Sequence, residues 1–285
     1  MIVLKTIVHN TIWGGHLYSL YCRKDISNEI LNGPWKGMCL NDVFPLFKAD
    51  FNLSQYQFFP ITLALTNARQ DLSIQVHPND KMAKEQEQMI RGKRESWYFI
   101  EAPHSGTIIN GCTCSTKAEG QLMIQQGRFM EMADTLPVKV GDYVFVEPGT
   151  LHAITAGSLV FEIEEGSDST YRFYDYDRED LQGNKRELHL EKASKALDIK
   201  LKSKTKSYNG NEIKEKTYST KLINNMKSYT NESCSLECFS MVKGELVCEN
   251  VQVEQGTTIL LWPGETLDTH QVELAFVSKM KEDML

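Results

Sequence analysis

Apolar and polar residues alternate with a period of two along much of this chain, in short runs. Trp97-Tyr98-Phe99-Ile100, Thr107-Ile108-Ile109-Asn110-Gly111, Asp142-Tyr143-Val144-Phe145-Val146, Leu159-Val160-Phe161-Glu162-Ile163-Glu164 and Tyr171-Arg172-Phe173-Tyr174-Asp175-Tyr176 read as strands. Gly, Pro and Asn or Asp turns separate them. Such spacing implies an antiparallel sandwich or barrel rather than alternating strand–helix units. Helical texture is confined to Lys81–Arg91, Gln121–Met132 and Glu187–Leu197, each flanked by breakers or polar residues. From Lys200 to Lys206 four of seven residues are lysine, followed by Ser207-Tyr208-Asn209-Gly210-Asn211. This reads as a solvated connector, because it has no aromatic interleaving and little extent. Strand patterns return over Cys238–Val247 and Thr258–Gly264. The expected layout is a main domain over 1–199, a connector over 200–206 and a smaller C-terminal β domain over 207–285.

Composition narrows the class. With 41% hydrophobic and 24% charged residues over 285 positions, the chain reads as an ordinary soluble globular protein. A formal net charge of −7 argues against a sequence-independent nucleic-acid binder. No apolar run approaches the roughly 18–20 residues needed to cross a bilayer. Met1-Ile2-Val3-Leu4-Lys5 lacks the basic and apolar regions of a secretory signal, so a cytoplasmic location is expected. The seven cysteines are an odd count without finger spacing. Cys112 and Cys114 lie too close along a strand for an unstrained bridge, and free thiols in a reducing compartment are expected.

The chemistry gathers in two segments. In Leu72-Ser73-Ile74-Gln75-Val76-His77, strand alternation puts Ser73, Gln75 and His77 on one face and the apolar residues on the other. Three polar groups on one strand face call for a ligand or a cavity. Imidazole nitrogen, amide oxygen and carboxylate oxygen together suit a borderline divalent ion such as zinc, with room for substrate oxygens. In Gly141–His152, a strand runs into Pro148-Gly149 and a histidine emerges at the start of the next strand, aimed at the partner sheet. Glu162 and Glu164 share one face of the strand that follows. Arg172, with a permanently charged planar fork suited to oxyanions, is placed on one strand face with Tyr174 and Tyr176.

The Pro-Gly turn followed by His152 resembles the second motif of the cupins. Joined to Gln75-Val76-His77, to Lys93-Arg94-Glu95-Ser96-Trp97-Tyr98 and to Thr170–Arg178, the pattern resembles the type I mannose-6-phosphate isomerases, in their short bacterial form. Ile12-Trp13-Gly14-Gly15 and Arg186-Glu187-Leu188-His189 fit as well. The resemblance is strong from about Leu72 to Ala193, thin from Leu17 to Thr66 and weak over the last 80 residues or so. It implies a mostly β protein: a metal-binding cupin jelly roll with a second, smaller C-terminal β domain and a few short helices. It implies one zinc ion per chain held by Gln75, His77, Glu95 and His152, and interconversion of mannose 6-phosphate and fructose 6-phosphate through an enediol. Arg172 would hold phosphate or developing charge, Glu162 would carry the proton, and Ser73 and Lys93 would line the sugar-phosphate site. Two imidazoles and one carboxylate also read independently as a catalytic zinc site with an open position.

Each of these residues has a plainer alternative. Glu162 could support a ligand instead of moving a proton. Lys93 could be a surface lysine beside Arg91 and Arg94, and Arg172 could pair with Asp175 or Asp177. The chain also departs from the family pattern. Ala64 stands where most members keep a lysine, and Asn67 where they keep an acid. Loss of a cation near phosphate would weaken binding by roughly 1.5–3 kcal/mol. A divergent cupin that binds a sugar or sugar phosphate without turnover is the alternative that these departures keep open.

Overall fold

The structure, a computed structural model, describes every residue except Ile90, Leu181, Asn209, Asn211 and 282–285. The chain is mostly β, and contacts divide it into two units. One is formed by Asn10–His16 and Thr66–Tyr208; the other combines Met1–His9, Leu17–Leu65 and Asn209–Leu285. These boundaries differ from the expected 1–199, 200–206 and 207–285, because the C-terminal segment shares its unit with two N-terminal stretches. The expected connector is also partly strand, since Thr205–Ser207 pairs with Asp142–Val144. Asn209 and Asn211, in the expected C-terminal domain just after it, lie outside the described residues.

The unit holding Thr66–Tyr208 contains two sheets. One orders Thr205–Ser207, Asp142–Val146, Lys93–Glu101 and Leu159–Gly166, followed by the strand Ile61–Ala68, of which Thr66–Ala68 belong to this unit. The other orders Tyr171–Tyr174, Ile74–Val76, His152–Ala153, Thr107–Cys112 and Ala133–Pro137. Both sheets supply the core: Trp97, Phe99, Val144, Val146 and Val160 from the first, Ile74, Val76, Ile108, Ala153 and Phe173 from the second. Along each strand the core positions alternate with residues of the other face, at the two-residue period of the sequence.

The inward row of the pair Lys93–Glu101 and Leu159–Gly166 changes character along its length. Phe99 faces Val160, then Trp97 faces Glu162, Glu95 faces Glu164 and Lys93 faces Gly166. Gly166 has φ of 94°, and a Cβ there would lie 1.9 Å from the Gly92 carbonyl oxygen, so only glycine fits beside the Lys93 end. In the second sheet, Gln75 pairs with His152 on one side and Arg172 on the other, and His152 pairs in turn with Asn110. Residues paired directly across strands share a face, so Arg172, Gln75, His152 and Asn110 form one row.

The helices differ from expectation at their ends. The first runs Asp80–Glu87, capped by the Asn79 side chain accepting from the Met82 amide, and stops where Gln88 turns left-handed; Ile90 of the expected span lies outside the described residues. The expected Gln121–Met132 is two helices, Lys117–Gln125 and Phe129–Met132, split at Gly127 with φ of 67°. The third is Leu190–Ala196. The strand from Tyr171 ends at Tyr174. A register shift sets Tyr174 opposite Ile74, and Tyr176 lies beyond the strand with φ of 57°. Arg172, Tyr174 and Tyr176 therefore do not keep one face, because the bulge breaks the alternation.

The other unit centres on a six-stranded sheet ordered Ile2–Val3, Thr258–Leu261, Glu237–Gly244, Val272–Met280, Tyr218–Ile223 and Ile213–Lys214. Val3, Phe239, Met241, Ile259, Leu261, Ala275 and Val277 form its core. Ala64, in the strand Ile61–Ala68, is fully buried, whereas Asn67 is exposed. All seven cysteines are free. Among the described residues no helix is long and apolar enough to cross a membrane.

Candidate functional site

His77, Glu95 and His152 come together with one donor atom each, all within 4.8 Å of one another and buried. His77 follows the Gln75 strand, and its carbonyl accepts from the Gly149 amide, which ties the Pro148-Gly149 turn to this end of the sheet. Both imidazoles are anchored at Nδ1: His77 donates to the Ser169 carbonyl at 3.0 Å and His152 to the Thr150 carbonyl at 2.8 Å. A neutral ring so anchored keeps a lone pair at Nε2. Burial, with His77 nearby, pushes the His152 pKa down to about 4, so this ring is neutral.

Those lone pairs face a carboxylate. His77 Nε2 lies 3.0 Å from Glu95 Oε1, and His152 Nε2 lies 3.5 Å from Glu95 Oε2. Yet His77 Nε2 and Glu95 Oε2 are buried polar atoms without a hydrogen-bond partner. Acceptor facing acceptor in a buried place is unfavourable unless a cation lies among them. The donor set of two imidazoles and one carboxylate fits a divalent ion. Gln75 is at the edge of this group. Its amide nitrogen lies 3.4 Å from His152 Nε2, and its oxygen accepts from Ser73 Oγ at 3.0 Å. The amide oxygen is therefore turned toward Ser73.

Lys93 is buried, not the surface lysine of the plainer alternative. Its ammonium lies 2.9 Å from Glu95 Oε1 and 3.1 Å from Glu164 Oε1. Burial alone works against its charge, but Glu164 and Glu95 outweigh that and raise its pKa well above the usual value. Burial likewise opposes the Glu95 charge, yet the Lys93 ammonium outweighs it and holds the Glu95 pKa well below the ordinary carboxylate range. Glu162 lies within 4.8 Å of Glu95 and Glu164, donor atom to donor atom. Burial, then the charges of Glu95 and Glu164, push its pKa up to about 8.

Arg172 has neither of the carboxylate partners that its alternative offered. Asp175 accepts from Arg178 and Arg186, and Asp177 pairs with Lys185 at 2.9 Å. The Arg172 backbone amide donates to His189 Nδ1 at 3.2 Å, while its side-chain Nε is buried without a partner. Three residues absent from the sequence-based set surround Glu162. Thr66 donates to its Oε2 at 2.5 Å, Trp97 Nε1 donates to its Oε1 at 2.9 Å, and His16 Nδ1 contacts Thr66 Oγ1 at 2.8 Å. A threonine and a tryptophan in strands look like packing residues. The register that sets Trp97 opposite Glu162 is what exposes their role.

No protein-family model matches the chain. It is 37% identical over 185 residues to the mannose-6-phosphate isomerase ManA of Bacillus subtilis, covering 65% of this chain and 59% of that protein. The chain therefore spans less than two thirds of that relative's length. It is 35% identical over 213 residues to mannose-6-phosphate isomerase of Streptococcus mutans, covering 69% of this chain and 67% of the relative. The crystal structure of mannose 6-phosphate isomerase from Bacillus subtilis superposes with a TM-score of 0.76 over 97% of this chain and 98% of that one, at 28% identity. Sequence and fold agree, and the chain belongs to the mannose-6-phosphate isomerase family.

Proposed function

We propose that this chain is a zinc-dependent aldose–ketose isomerase interconverting mannose 6-phosphate and fructose 6-phosphate through an enediol. The observation that carries the proposal is the buried group of His77, Glu95 and His152, whose ligand-type atoms converge while His77 Nε2 and Glu95 Oε2 lack hydrogen-bond partners. Gln75 would join as a fourth ligand by turning its amide through half a circle, which brings its oxygen toward His152. A bound zinc ion supplies Lewis acidity at the sugar oxygens.

The remaining work falls to protein side chains. Going from aldose to ketose, a proton leaves C2 and one is delivered to C1, while a hydroxyl proton passes from O2 to O1. Glu162 is assigned the carbon-bound proton, because a carboxyl with a pKa of about 8 gives and takes protons near neutrality. Lys93 holds Glu95 and Glu164 in place and lines the site. Arg172 is assigned the phosphate or the developing negative charge, and Ser73 a sugar hydroxyl.

A coupled assay across several hexose phosphates, with metal measured on the same sample, tests this reading. Close to one divalent ion per chain is expected, and His77→Ala or His152→Ala should lose it. Retention of full metal by both variants rejects the ligand assignment. Solvent deuterium should enter C2 during turnover; binding without such exchange would instead support a sugar-phosphate binder.

A further inference from the structure

We propose that His16, acting through Thr66, is a positioning residue that fixes the Glu162 carboxylate for proton transfer; this rests on the isomerase reading above. His16 Nδ1 lies 2.8 Å from Thr66 Oγ1, Thr66 Oγ1 donates to Glu162 Oε2 at 2.5 Å, and Trp97 Nε1 donates to Glu162 Oε1 at 2.9 Å. Thr66 is fully buried, Glu162 and Trp97 nearly so. A threonine hydroxyl carries one proton. Committed to Glu162, it leaves the Thr66 oxygen as an acceptor, so His16 must donate from Nδ1. The indole can only donate. One donor on each oxygen fixes the carboxylate plane and leaves each oxygen a second lone pair. A carboxylate without those donors rotates about its last bond, and small misplacements of reacting groups slow proton transfer steeply.

The Trp13-Gly14-Gly15 sequence delivers this contact. Gly14 has φ of 145°, and a Cβ there would lie 2.0 Å from the Asn67 carbonyl oxygen. The absence of a side chain lets the segment approach Thr66–Ala68 closely enough for His16 to reach Thr66. Trp13 packs edge-on against the His16 ring, with centroids 5.0 Å apart, and fixes its plane.

The test combines kinetics on the metal-loaded protein with nitrogen NMR of His16. Thr66→Val should lower kcat about tenfold to a hundredfold, the scale of one hydrogen bond to a charged group. KM for mannose 6-phosphate and metal content should stay within about twofold. Thr66→Ser, which keeps the hydroxyl, should restore most of kcat. His16→Leu should repeat the loss, and His16→Asn, whose amide can donate from a similar place, should recover part of it. In the wild type the His16 ring should carry its proton at Nδ1, assigned by the signal missing from His16→Asn. Equal kcat in Thr66→Val and wild type, or equal loss in Thr66→Val and Thr66→Ser, overturns the proposal. So does a His16 ring protonated at Nε2 alone, whether or not the protein is active. A wild type inert on every hexose phosphate is a different result, which overturns the isomerase reading itself.

Discussion

Arg172 keeps a buried guanidinium nitrogen without a hydrogen-bond partner, although three nearby cations have taken the available carboxylates. The proposed function assigns that planar fork to the phosphate or the developing charge of a substrate. Arg172→Lys retains the charge but loses the fork. Turnover should fall by about tenfold to a hundredfold, the range of a lost charge-assisted hydrogen bond. Metal content and melting temperature should hold, because the guanidinium joins no ion pair among the described residues. Near-normal kinetics would show that the fork is not used. The histidines illustrate the same residue-scale logic. Neither is distinguished by its ring alone; the carbonyl at each Nδ1 is what turns Nε2 into an aimed acceptor.

The segment following Tyr174 is held by Asp175, which accepts from Arg178 and Arg186. Burial works to raise the Asp175 pKa, but hydrogen bonds from the two arginines outweigh it, and the net shift is downward. A carboxyl depressed by folding adds stability above its unfolded pKa of about 3.9 and loses it as pH falls through the folded value. Acid unfolding of the wild type should therefore steepen below about pH 4, and Asp175→Asn should flatten that limb. An unchanged acid limb in the variant would reject the clamp. Much of this element-scale picture is legible in the sequence. Alternation in Leu72–His77 and Leu159–Glu164 sets the faces correctly: Leu72, Ile74 and Val76 join the core, and Glu162 and Glu164 share the face set opposite Trp97 and Glu95. It fails at Tyr174 and Tyr176, where a bulge and a left-handed residue intervene, and neither leaves a mark in hydropathy. The split at Gly127 falls between two apolar clusters, Leu122-Met123-Ile124 and Phe129-Met130, which together read as one helix. His16, Thr66 and Trp97 escaped notice because their importance comes from strand register, and a single sequence does not fix which strands pair.

At the scale of the molecule, His77, Glu95 and His152 bring buried polar atoms together, two of them without hydrogen-bond partners, an arrangement that the proposed ion would stabilise. Adding zinc to metal-free protein at a hundredfold excess over Kd should raise the melting temperature by roughly 5 °C, from about 2.7 kcal/mol of linkage. His77→Ala should abolish the rise; a rise that persists would place the ion elsewhere. The composition of the two units is the least legible feature. Nothing local announces that Leu17–Leu65 joins the C-terminal segment, since such grouping is decided by contacts between distant stretches. The same non-locality shapes how the site forms. Gln75 and His152 are neighbours across a ladder yet 77 positions apart, and His77 is anchored by a carbonyl 92 positions away. The group of His77, Glu95 and His152 cannot form until those distant pairings close, and non-local pairing of this kind is slow. An ion that binds only after closure is absent from the folding transition state. It should therefore leave the refolding rate untouched and slow unfolding alone. Stopped-flow traces with and without zinc would separate the two limbs, and faster refolding with the ion would mean that His77, Glu95 and His152 meet early.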